Sequence, residues 1–123
     1  MKNNPLLEQS LNFAIQIIKL QKKLIKEKRE TIISKQIIRS ATSIGANINE
    51  ANYASSKLDF VSKLHISLKE CAETEYWLRL LEKSEYINEE YANKLLIDCL
   101  SIKKMLISSL NTTKAKSQQK TSD

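Results

Sequence analysis

Apolar residues recur along this chain at steps of three and four, the spacing of helices, and nowhere alternate as a half-buried strand would require. Asn4-Pro5 opens the first helix, because Asn can accept from the first free N–H groups and Pro fits only the first turn. From there to about Lys28 two apolar stripes run side by side. One holds Leu7, Leu11, Ala14, Ile18 and Ile25; the other holds Phe13, Ile17, Leu20 and Leu24. Stripes displaced by about 100° cover a wider arc than one helix pair needs, which predicts a second contact surface.

Residues 26–31 are wholly polar and make the first reversal. The second helix then runs to about Tyr53, with Ile33, Ile37, Ala41, Ile44, Ile48 and Ala51 on one seam. Ser56 followed by Asp59 is a capping-box-like pair that starts the third helix. Its seam carries Val61, Leu64, Leu68, Cys71 and Leu78. Asn88-Glu89-Glu90 places a cap and two carboxylates where a helix macrodipole favours them. The fourth helix runs to about Leu110 with Tyr91, Leu95, Cys99, Ile102 and Leu106 inward. Beyond it the chain turns polar and Lys/Ser/Gln-rich, so residues 1–113 are expected to form the folded unit and 114–123 a disordered basic tail. The fold expected is all-α: an antiparallel up-down-up-down four-helix bundle with short connections.

Composition sharpens this picture. At 123 residues the chain is one domain, and with a single Gly and a single Pro it has almost nothing to build turns from. Cys71 and Cys99 lie in apolar helical patterns without metal or redox spacing, and read as small hydrophobes in a reducing compartment. No run approaches the ~18 apolar residues of a membrane span, and no signal-peptide pattern opens the chain, so a cytoplasmic location is expected.

Several residues depart from what a plain bundle needs. Gly45 sits mid-helix, where Gly costs about 1 kcal/mol relative to Ala. It marks a close approach, either to a helix of the same chain or to another subunit. Gln36, Ser40, Ser43, Asn47 and Glu50 form a polar stripe of short hydrogen-bonding groups behind the apolar seam. Glu75 occupies a seam position between Cys71 and Leu78; a buried carboxylate there is expected to meet Arg39, Asn47 or a backbone donor, or to face an interface.

Chemistry finds little support. Di-iron bundles need Glu-x-x-His pairs on facing helices; Glu70 and Glu73 have no histidines to join them. His65 is the one histidine, and no Arg precedes it at the spacing that helical-bundle ribonucleases use. There is no phosphate-cradling Gly loop and no Ser/His/Asp set. No catalytic residue, metal or cofactor is expected.

Charge points to partners. The net charge is +6, and Lys19, Lys22, Lys23, Lys26, Lys28 and Arg29 crowd the end of the first hairpin. In an antiparallel bundle the same end carries Glu82, Glu85, Glu89 and Glu90. Mutual compensation, within a subunit or between neighbours, is one reading. A surface that tracks nucleic-acid phosphates, with salt-sensitive binding, is the other. No aromatic interleaves with these lysines in sequence, so base readout is not indicated.

The residues Gln36-Ile37-Ile38-Arg39-Ser40 and Ser43-Ile44-Gly45-Ala46-Asn47-Ile48-Asn49-Glu50-Ala51, with Ser56-Lys57, Asp59-Phe60, Ser67-Leu68-Lys69-Glu70 and Glu73-Thr74-Glu75-Tyr76-Trp77-Leu78, closely resemble one bacterial family. Its members are the four-helix bundle proteins labelled 23S rRNA intervening-sequence proteins or S23 ribosomal proteins; the accessory variability protein of diversity-generating retroelements is a related member. The resemblance spans about residues 7–110. It implies a cytoplasmic bundle that assembles into a homopentameric ring and associates with nucleic acid without known catalysis. Arg39, Ser43, Asn47, Glu50, Glu70 and Tyr76 match signature positions and read as assembly and packing residues, alongside Phe13, Ile17, Leu20, Gly45, Glu75 and Trp77. The alternative function is a protein-interaction scaffold that docks an enzyme such as a reverse transcriptase, prompted by the surplus apolar arc of the first helix and the surroundings of Trp77.

Overall fold

The computed structural model describes residues 4–122, with side chains for residues 4–116. It contains four helices, α1 (Pro5–Lys28), α2 (Ile32–Ala51), α3 (Lys57–Lys83) and α4 (Glu89–Ser122), and no strand among the described residues. Three of the four starts are set by short polar side chains. Asn4 Oδ1 accepts from the Leu7 amide at 3.1 Å, Ser56 Oγ from that of Asp59 at 3.0 Å, and Asn88 Oδ1 from that of Tyr91 at 2.7 Å.

The start of α2 is capped by a residue that the sequence pattern left inside a polar turn. Arg29 closes α1 in the left-handed conformation (φ 52°), which turns the next residue back toward the bundle. The Glu30 carboxylate then accepts from the amides of Ile32, Ile33 and Ser34 at 3.1, 3.0 and 2.7 Å. Glu30 is buried, and those three N–H groups have no intrahelical partner of their own. Glu30→Ala is expected to lower stability by about 1–2 kcal/mol in urea denaturation, the upper range for losing a helix cap.

The core is drawn from all four helices. Phe13, Ile17, Leu20 and Leu24 of α1 meet Ile37, Ala41, Ile44 and Ile48 of α2, Leu64, Cys71 and Leu78 of α3, and Leu95, Cys99, Ile102 and Leu106 of α4. Helix α2 packs on α1 and α3, and α4 packs on α3 and α1. The α1–α4 seam is the loosest; it leaves a groove of ≈ 550 Å³ lined by Gln9, Asn12, Gln16, Lys94 and Asp98.

Gly45 is explained within the chain. A Cβ placed on it would lie 3.0 Å from Ser10 Oγ of α1, and Ser10 is wholly buried, donating to the Leu7 carbonyl at 2.7 Å. The glycine lets α1 and α2 close on each other.

Two boundaries differ from the sequence pattern. Helix α2 ends at Ala51, slightly before Tyr53. Helix α4 passes Leu110 and continues to Ser122, so the tail expected to be disordered from residue 114 is helical as far as it is described; Asp123 and the side chains from residue 117 lie outside the described residues. Extending an existing helix avoids the cost of a new nucleus, and Lys, Ala and Gln are good helix formers.

Candidate assembly and nucleic-acid surfaces

The two stripes of α1 separate cleanly. Phe13, Ile17, Leu20 and Leu24 are at most 2% exposed, so these residues pack the chain's own core and are not available to a neighbouring copy. The surplus surface is the other face: Leu11, Ile15, Ile18 and Ile25 all stand exposed, Leu11 at 59%. A comparable outward set, Ile97, Leu100 and Ile107, lies on α4. Trp77 is half-buried against the core, with the exposed Tyr76 ring edge-on at 5.0 Å.

Between α2 and α3 runs a polar seam that includes Arg39, Glu50 and Glu70 of the signature residues. Arg39 reaches Glu70 at 3.3 Å and also Glu73, which in turn accepts from Trp77 Nε1 at 3.0 Å. Ser40 and Thr74 share a hydrogen bond of 2.8 Å, and Ser67 Oγ donates to the Ile44 carbonyl at 2.8 Å, all three side chains being buried. Asn47 stays on its own helix, donating to Ser43 O and Oγ at 2.8 and 3.0 Å, while Glu50 pairs with Lys63 at 3.4 Å. The Arg39 side chain is 52% exposed, and surface pairs of this kind contribute ~1 kcal/mol or less. The buried hydroxyls therefore carry more of the seam's specificity than its charges.

Glu75 does not join this seam. Its carboxylate meets neither Arg39 nor Asn47 but faces α4, where Lys103 Nζ lies 3.9 Å away. One residue is about 100° of helix, enough to turn Glu75 toward α4 while Thr74 faces α2. The polar network thus divides in two. Thr74, Ser67 and Glu73 do the work that the stripe-and-Glu75 pattern assigned elsewhere; the available signal was three short polar or acidic residues sharing the α2-facing side of α3. Gln36 is exposed.

At the far end of α1, Lys19, Lys22, Lys23, Lys26, Lys28 and Arg29 are all exposed. Among the described residues, no carboxylate lies within ion-pair distance of any of the six. Lys23 Nζ instead stands 5.3 Å from the centre of the Tyr91 ring, a cation–π contact that no pattern within α1 could show. Burial raises the Tyr91 phenol above its ordinary pKa, so it stays neutral beside the lysine. An open concavity of ≈ 640 Å³ is lined by Lys23 and Lys28 together with Glu27, Glu82, Glu85 and Glu89. Carboxylates thus share this end of the bundle with the cations without neutralising them by direct contact.

For chemistry the side chains offer little. Both cysteines are free and buried, and the Cys99 thiol is pushed far up by its hydrogen bond with Cys71 and by burial, which makes it a poor nucleophile. His65 is exposed beside Val61, Leu68 and Ile107. Among the described residues no group of three or more His, Cys, Asp or Glu side chains could hold a metal ion, and no helix is long and apolar enough to cross a membrane.

Comparison with known proteins agrees with this architecture. The profile of the 23S rRNA-intervening sequence protein family matches residues 2–108. A crystal structure from Bacteroides thetaiotaomicron VPI-5482, described as a protein with unknown function from the S23 ribosomal protein family, is 50% identical. It superposes with a TM-score of 0.84 over 85% of this chain and 97% of its own. The search of curated proteins gave no match.

Proposed function

We propose that this chain, which belongs to the family of 23S rRNA-intervening sequence proteins, is a cytoplasmic, non-catalytic bundle that self-assembles and associates with RNA or DNA through basic surface, without reading sequence. The bundle is antiparallel and up-down-up-down in this reading. In support, α2 residues 40, 44 and 50 contact α3 residues 74, 67 and 63, numbers that fall along one helix as they rise along the other. Self-assembly, as a homopentameric ring, is favoured by the outward apolar faces of α1 and α4.

The observation that carries nucleic-acid association is the set of six exposed cations on the last turns of α1, none held by a carboxylate. Such cations attract a polyanion through counterion release, and every phosphate they neutralise adds to the salt dependence. The carboxylates nearby limit the strength of that field, which suits modest, sequence-independent affinity. Filter binding of a structured RNA at rising salt tests the proposal. Binding is expected to weaken steeply with salt, and Lys19→Glu/Lys26→Glu to reduce it roughly tenfold or more at low salt, in line with losing two phosphate contacts and adding two repulsive charges. No binding even at low salt would remove the proposal.

The second reading, a scaffold that docks a partner enzyme such as a reverse transcriptase, draws on the exposed Tyr76 ring braced against Trp77. A pull-down from the source cell that recovers nucleic acid and no protein counts against it.

A further inference from the structure

We infer that self-assembly is heterologous, with α1 of one copy packing antiparallel against α4 of the next; this rests on the self-assembly reading above. The outward residues of α1 are Leu11, Ile15, Ile18, Lys22 and Ile25, at steps of four and three. On α4 they are Ile97, Leu100, Lys104 and Ile107, at steps of three, four and three. The order from Ile15 to Ile25 is repeated from Ile97 to Ile107: two apolar residues, then Lys, then Ile. Sustained steps of three and four keep a seam facing one partner helix in a left-handed packing.

The stripes lie on different sides of the molecule. On α1 the α4-facing side is marked by Gln9, Asn12 and Gln16, which line the α1–α4 groove, and the apolar stripe is turned away from it. On α4 the stripe is turned away from the groove residues Lys94 and Asp98, past Lys103, which reaches α3. A patch on one side that fits a different patch on another side makes a head-to-tail contact, which closes into a ring when the rotation allows.

Charge fixes the direction. With Ile25 set against Ile97 in the antiparallel sense, Lys22 falls on Leu100 and Lys104 on Ile18, so each lysine stem covers an aliphatic side chain and its ammonium reaches the edge. Arg29 then comes beside Asn93 and Glu90, and Glu8 beside Lys114. The parallel sense would set Lys22 on Lys104 and Glu8 on Glu90, like charges in both places. An α1 stripe paired with its own copy would oppose two runs of lysines.

The test is to mix separately purified Ile25→Cys and Ile97→Cys proteins under mild oxidation, with the wild-type mass by light scattering as the companion measurement. The native thiols are buried and leave the added ones to react. The expected result is a disulfide-linked dimer that contains one chain of each kind, with little cross-linking of either protein alone or of Ile18→Cys mixed with Ile97→Cys. Wild type larger than one chain without the mixed cross-link would overturn this interface and leave self-assembly standing. Wild type at the mass of one chain would overturn self-assembly itself.

Discussion

Ile17→Asp is expected to prevent the chain from folding, whereas Ile18→Asp, one residue further along α1, is expected to leave its helical circular dichroism intact. Ile17 is wholly buried in the core and Ile18 is 37% exposed on the outward stripe. Deleting a buried isoleucine costs about 2–5 kcal/mol, and an unpaired carboxylate in its place adds several more. That sum is comparable with the entire stability of a small domain, about 5–15 kcal/mol. At Ile18 the charge meets water, and its effect falls on association instead. Circular dichroism for folding and light scattering for mass separate the two outcomes. A folded Ile17→Asp protein would mean that the core is not built as described.

Gly45→Leu is expected to lower stability by about 1–3 kcal/mol, the range for overpacking a close-packed contact. Helix propensity alone predicts the opposite sign, since Gly is about 1 kcal/mol worse than most residues inside a helix. Contact wins because the new Cβ would already stand 3.0 Å from Ser10 Oγ, with the backbone of Ser10 at 3.8 Å behind it. Removing that oxygen should reverse the balance. In a Ser10→Ala background Gly45→Ala should stabilise by up to about 1 kcal/mol, and in the parent by clearly less. A urea-denaturation cycle over the four proteins measures the coupling directly. Additive effects at the two positions would show that α1 and α2 do not meet here.

Most of the fold is legible in the sequence, because helix starts and seams are local. Asn4, Ser56 and Asn88 announce three of the four starts, and the steps of three and four place the core residues. The start of α2 is not legible in that way. Glu30 caps it only because Arg29 adopts a left-handed conformation, which a non-glycine residue does not advertise. The surface residues are less legible still. Periodicity shows that α1 carries more apolar arc than one neighbour needs, yet which stripe turns inward depends on where α2 and α4 stand. The contact that stands beside the lysines, Tyr91, comes from a helix some seventy positions later in the chain. Likewise, whether Glu75 meets α2 or α4 rests on a single step of helical phase, and no spacing within α3 resolves that. Local chemistry therefore reads out elements and core, while partner choice at the seams waits on the relative placement of helices.

In the assembly proposed above, further copies of the same chain cover the apolar faces left outside one bundle. Light scattering of the wild-type protein at micromolar concentration decides whether they do. A mass several times the 14.1 kDa of one chain is expected, five times for a closed pentameric ring. A single species at 14.1 kDa, stable with Leu11, Ile18 and Ile97 left to solvent, would contradict it.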